Sequence, residues 1–168
     1  MSGDVGRDQR FARAVATVGY VGLLRPAPGT WGSLAALPLG WLAMQVGPLV
    51  FTVLTALILP LGYWATAAAT RGQADHDPSE IVIDEVLGQW IALLPLVWGA
   101  ANAGVAVERL WPGWIAALLL FRLFDIWKPG PVGWMDRRTD AWGVMLDDAI
   151  AGGMAAICVL ALAALAHL

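Results

Sequence analysis

Two runs of apolar residues, 49–70 and 149–168, are each long enough to cross a bilayer as a helix, which decides the solvent the fold must suit. A span needs about 20 apolar residues. Four shorter apolar runs cover 11–24, 34–46, 86–101 and 114–121. Backbone polar groups in lipid must be satisfied within the segment, so such runs fold as helices. Only 14% of the 168 residues are charged and 59% are hydrophobic, whereas a soluble domain carries about 25% charged residues. The expectation is an all-α, multi-pass membrane helical bundle with four or five spanning or half-spanning helices. Runs 34–46 and 86–101 would tilt, thin the bilayer or pack inside protein. Pro38, Pro60 and Pro95 would kink or shorten their helices. Phe11, Val15, Val18 and Gly22 keep helical spacing, so the first run would lie at the interface.

Several function classes fall away. The single cysteine, Cys158, permits neither an intrachain disulfide nor a cysteine-based metal site. A net charge of −3 and the lack of a basic stripe give no reason to expect nucleic acid as a partner. The first apolar run ends in Arg25-Pro26 without a small-residue cleavage pattern, so no signal peptide is expected. Nothing in the sequence speaks to oligomeric state.

Charge sets the expected orientation. Arg7, Arg10, Arg13, Arg25, Arg71, Arg122, Lys128, Arg137 and Arg138 fall in alternate loops on one side, and only Arg109 on the other. By the positive-inside rule the first side faces the cytoplasm. All acids but Glu108 share it. Trp98, Trp111 and Trp114 suit an outer aromatic belt, and Trp31, Trp127, Trp134 and Trp142 an inner one.

The acids carry the chemistry. Asp84 and Glu85 sit among Ile81, Ile83, Val86 and Leu87, with Gly88 allowing close approach by another helix or a ligand. Asp77, Pro78 and Glu80 before them read as a helix start with a capping box, which would place Asp84 and Glu85 beyond the first turn. Asp125 and Lys128 are three apart and would share a helix face, as an ion pair or a catalytic pair, before Pro129 ends the helix. Lys128 is the only lysine, and a compact ammonium suits a phosphate oxygen. Asp147 and Asp148 are adjacent like charges, with Ala151-Gly152-Gly153 clearing space one turn later; favourable alignment with the helix dipole is the plainer account. Asp140 would cap the last helix. Carboxylates beside hydrocarbon are costly unless neutralised, and hard oxygen donors suit Mg²⁺. Gly29, Thr30 and Ser33 form a turn before a helix expected to start at Ser33, either a capped turn or a phosphate cradle. His76 is a loop residue or a general acid or base.

Four segments in order resemble the bacterial phosphatidylglycerophosphatase A family. They are Ala27-Pro28-Gly29-Thr30-Trp31-Gly32-Ser33, His76-Asp77 through Ile83-Asp84-Glu85-Val86-Leu87-Gly88, Phe121-Arg122-Leu123-Phe124-Asp125-Ile126-Trp127-Lys128-Pro129, and Gly143-Val144-Met145-Leu146-Asp147-Asp148 through Gly152. The resemblance implies a Mg²⁺-dependent phosphatase of the inner membrane that converts phosphatidylglycerophosphate to phosphatidylglycerol and inorganic phosphate. Residues 26–168 would form the membrane-embedded lipid phosphatase domain, and 1–25 a cytoplasmic or interfacial segment without motifs. On this reading Asp84, Glu85, Asp125, Asp147 and Asp148 hold the metal, and Asp84, Asp125, Lys128 and Asp148 serve catalysis. Gly29, Thr30, Ser33, His76, Arg122 and Lys128 contact the phospholipid at the cytoplasmic face. Water is the expected nucleophile, with attack by Asp125 or Asp84 as the competitor. Two alternatives stand beside it. A CDP-alcohol phospholipid transferase would need one contiguous aspartate run with an Ala-Arg, which is absent; a small metal-ion transporter would place its acids mid-membrane.

Overall fold

The computed structural model describes residues 2–72 and 78–166, with side chains from residue 8 onward. The described residues form helices joined by short turns, without a strand among them. In chain order the helices are α1 (Ser2–Ala16), α2 (Pro28–Met44), α3 (Pro48–Ala69), α4 (Ile83–Ala103), α5 (Trp111–Trp127), α6 (Pro131–Asp136) and α7 (Ala141–Ala166). Four segments are long and apolar enough to cross a membrane: Pro48–Ala69, Ile83–Ala103, Val107–Trp127 and Ala141–Ala166. With the 17-residue α2 as a shorter companion, this is the helical membrane bundle expected. Each helix continues through its internal proline, Pro38, Pro60 or Pro95. Membrane helices tolerate this where neighbouring groups satisfy the freed carbonyl.

Helix α4 is the axis. Its Ala92 and Leu93 are fully buried, and Leu87, Leu96, Val97 and Ala100 nearly so. The helices around it turn apolar side chains outward: Leu57 on α3, Leu119 on α5 and Ile157 and Leu165 on α7 are all more than half exposed. That is the pattern of a bundle solvated by lipid. Helices α2 and α7 run alongside α4 in the same direction. Gly29 and Gly40 of α2 approach Glu85 and Trp90, and Gly152 of α7 meets Gly88. Helix α5 runs the other way, so that Arg122 reaches Glu85 while Gly113 rests on Leu96. All four motif segments therefore end at one end of the bundle.

Several boundaries differ from those expected. Helix α2 begins at Pro28, not Ser33, because proline at the first position is already set for a helix and Ala27 turns into it with a φ of 58°. Gly29, Thr30 and Ser33 thus lie in the first turns of α2. Helix α4 begins at Ile83, so Pro78 and Glu80 form no capping box, and Asp84 and Glu85 do occupy the first turn. The backbone of 78–82 is engaged elsewhere. The Val82 amide donates to the Ala16 carbonyl at 2.9 Å, and Arg13 pairs with Glu80 at 3.0 Å. A Cβ on Gly22 would collide with the Glu80 carbonyl. The Phe11–Gly22 helical stripe stops early, since α1 ends at Ala16 and Val18 and Tyr20 take positive φ. Asp77 and His76 lie outside the described residues.

Candidate active site

Glycine contacts build the site. A Cβ on Gly152 would strike the backbone of Gly88, and one on Gly88 would sit 2.7 Å from the Asp148 carbonyl. Helices α4 and α7 therefore touch backbone to backbone, as small residues permit in membranes. That contact sets the Asp84-Glu85 turn beside the Asp147-Asp148 turn. Helix α7 starts at Ala141, so Asp147 and Asp148 lie beyond its first turn and the helix dipole does not account for them. Asp148 is 3% exposed. It lies within electrostatic reach of Asp84, Glu85, Asp125 and Asp147. All five of these carboxylates therefore lie at the same end of the bundle.

Two of the chain's own cations stand among them. Arg122 bridges α4 and its own helix, with its guanidinium 2.5 Å from Glu85 and 2.7 Å from Asp125. The Ser33 hydroxyl lies 2.7 Å from the second Glu85 oxygen and also reaches the Gly29 carbonyl at 3.1 Å. Glu85 thereby fills the space over Gly29 at the start of α2, where the sequence allowed either a capped turn or a phosphate cradle. Thr30 is exposed beside it. Lys128 sits just past the end of α5 in a left-handed conformation, φ 49°. That turn swings its ammonium away from Asp125, to 2.5 Å from Asp136 and 2.8 Å from Asp147. The expected Asp125–Lys128 pair is thus replaced by Arg122–Asp125 and Lys128–Asp147. Burial works against the Lys128 charge, but the bonds to Asp136 and Asp147 outweigh it and hold its pKa above the usual lysine range. The Asp84 carboxylate accepts from the Glu85 amide at 2.9 Å, and Asp147 from the Asp148 amide at 2.9 Å. Among the described residues no hydrogen bond or ion pair engages the Asp148 carboxylate.

Asp140 caps α7, accepting from the Gly143 amide at 3.1 Å. The Arg138 hydrogen bond holds its carboxyl below the ordinary range. Two residues were missed in the sequence. Asp136 carries no motif in the sequence, and only the fold brings it to Lys128. Gln89, a lone amide in an apolar run one turn after Glu85, is fully buried; that spacing was the available signal.

The donor set suits a hard divalent cation. It is all oxygen, largely buried, and the five carboxylates outnumber the two cations among them. As they stand, with Arg122 and Lys128 between them, no three acids among the described residues are gathered closely enough to hold one ion. Chemically the arrangement can bind a dianionic phosphate through Arg122 and Lys128. It also leaves a carboxylate, Asp148, free to handle a proton.

Comparison with known proteins points the same way. The family model for phosphatidylglycerophosphatase A matches residues 14–163. A Haemophilus influenzae phosphatidylglycerophosphatase A is 38% identical over 144 residues, covering 84% of this chain and 82% of that protein. The Escherichia coli protein of the same name is 34% identical, covering 83% of this chain and 76% of its own length. A Bacteroides thetaiotaomicron protein, provisionally named a phosphatidylinositol-3-phosphatase, is 40% identical over 134 residues, covering 75% of this chain and 77% of its own. No solved structure matches the chain. A family match across most of the sequence, with the four motif segments meeting at one end of the bundle, makes this chain a member of the phosphatidylglycerophosphatase A family.

Proposed function

We propose that the protein hydrolyses phosphatidylglycerophosphate to phosphatidylglycerol and inorganic phosphate at the cytoplasmic face of the inner membrane. One observation carries this reading: Arg122 and Lys128 meet five carboxylates at a single end of a membrane bundle. The same end carries nearly all the arginines, which supports the cytoplasmic assignment.

Arg122 and Lys128 would take the non-bridging oxygens of the terminal phosphate, exchanging their present carboxylate partners for it. Asp148 would accept the proton of the attacking water at a carboxylate oxygen and return it to the glycerol oxygen as the P–O bond breaks. Water adds to phosphorus and the headgroup alcohol departs, so atoms and charge balance. Asp84, Glu85, Asp125, Asp147 and Asp148 would hold Mg²⁺, which when bound supplies neutralising charge to the phosphate. Attack by the Asp125 or Asp84 carboxylate itself is the competing route, and a trapped phosphoenzyme would establish it.

The test is phosphate release from phosphatidylglycerophosphate in detergent micelles, alongside phosphatidic acid and phosphatidylinositol 3-phosphate. Release from the first, abolished by EDTA and restored by Mg²⁺, is expected. Preference for phosphatidylinositol 3-phosphate would move the assignment to the headgroup named for the Bacteroides relative. No release from any of the three would end the phosphatase reading.

A further inference from the structure

Asp136 takes no part in the chemistry derived above, yet the chain folds a helix back to bring it to Lys128. Helix α5 must stop at Lys128, because Pro129 disfavours the right-handed helical region for the residue before it. Lys128 leaves the helix with φ 49° and ψ 53°, its amide still bonded to the Phe124 carbonyl at 2.8 Å. A side-chain-bearing residue persists in that left-handed region only where its surroundings impose it. Helix α6 supplies those surroundings. The Val132 and Trp134 amides return to the Pro129 and Gly130 carbonyls at 3.1 and 3.0 Å, and Val132 is fully buried, so this six-residue helix is pinned to the turn.

One face of α6 then meets Lys128 twice. A Cβ on Gly133 would sit 2.6 Å from the Lys128 carbonyl oxygen, closer than side chains come. Three residues on, and so on the same face, the Asp136 carboxylate lies 2.5 Å from the Lys128 ammonium. A single short helix therefore holds both the backbone and the charged tip of Lys128. The ammonium also reaches Asp147 of α7 at 2.8 Å. The two carboxylates differ in setting: the Asp147 side chain is 8% exposed, among the other acids of the site, and that of Asp136 is 41% exposed. Lysine is a point charge on a flexible stem, so its place has to be fixed by something else.

We propose that Asp136 is a positioning residue: carried by α6, it fixes the Lys128 ammonium where the terminal phosphate docks, and it keeps its hold when Asp147 yields to the phosphate. An ammonium has three N–H donors, enough to keep Asp136 and take a phosphate oxygen together. The proposal rests on the phosphatase reading for the identity of the anion, and on geometry alone for the grip. It carries a distinctive kinetic sign. A carboxylate beside the docking point repels a phosphate dianion, so its removal cannot weaken substrate attraction. Lost positioning shows in kcat instead, since misplacing a group by about 1 Å costs about 100-fold.

The test uses the full chain in detergent micelles. Lys128 is the only lysine, so acetylation by an N-hydroxysuccinimide ester, located by peptide mass spectrometry, reads its freedom without turnover. Asp136→Asn should raise the rate of Lys128 acetylation several-fold, with the unfolding temperature near wild type because so exposed a pair contributes little to stability. Its kcat should fall by about 10–100-fold, while KM for phosphatidylglycerophosphate holds or drops. Gly133→Ala, which pushes α6 off the Lys128 carbonyl, should free the ammonium in the same assay. Unchanged acetylation in both variants would overturn the grip. A rise in KM with kcat intact would overturn the positioning role, by showing that Asp136 meets the headgroup itself. In a Lys128→Met background Asp136→Asn should lower kcat no further, and an additive loss would likewise overturn it. Wild type that releases no phosphate, while Asp136→Asn still frees Lys128, would discredit the phosphatase reading and leave the grip standing.

Discussion

The two halves of α7 obey opposite rules. In its first half the buried residues include Asp147 and Asp148, packed with Gly143, Val144, Met145 and Gly152. In its second half Ile157, Leu160, Leu162 and Leu165 lie on the outside and only small or β-branched residues, Ala155 and Val159, are buried. A soluble helix would place its charges outward and its leucines inward. Here lipid accepts the leucines, and the charges are tolerated only where other protein groups surround them. Polarity in this chain therefore marks the interior of the working end, not the surface.

Substitutions along and beside α7 put that contrast at risk in graded steps. Asp148→Asn should reduce phosphate release by on the order of 10³-fold, with yield and unfolding temperature near wild type. Loss of folded protein instead would make Asp148 a structural residue. Arg122→Leu leaves Glu85 and Asp125 without their shared cation and should cost about 3 kcal/mol, read as a lower unfolding temperature in detergent together with lost activity. Retained stability would mean that the carboxylates find other partners. Gly152→Ala drives a methyl group into the Gly88 backbone, and a cost of about 1–3 kcal/mol is expected from the thermal melt. An unshifted melt would show that the backbone contact is not tight. Ile157→Ala, on the lipid-facing half, should move stability by no more than about 0.5 kcal/mol; a larger loss would mean that another protein surface covers that face.

Much of this was legible beforehand, and the misses have physical causes. Apolar length gave the spans, because the bilayer imposes a minimum. The acids announced themselves because their neighbours are apolar. What could not be read was pairing. Asp125 and Lys128 have helical spacing, yet the left-handed turn at Lys128 redirects the ammonium toward Asp136 and Asp147. Local spacing carries no information about a turn of that kind. Arg122 was taken for a substrate contact alone, and its bridge from Glu85 to Asp125 depends on how α4 and α5 cross. The capping box at 77–80 failed for a similar reason. Its sequence suits a helix start, but residues 78–81 close into an isolated turn, Ile81 amide to Pro78 carbonyl, and the Val82 amide is taken by the Ala16 carbonyl, so the helix begins only at Ile83.

That last bond bears on how the protein can be handled. The motif-free leading residues act as a collar on the segment that feeds Asp84 and Glu85 into place, through Ala16, Arg13 and Gly22. Trimming the chain back to its first recognisable motif would free residues 78–82 and loosen the root of α4. An expression design that treats those two dozen residues as dispensable packaging would loosen the acid-bearing end while leaving all five of its clustered carboxylates in the sequence.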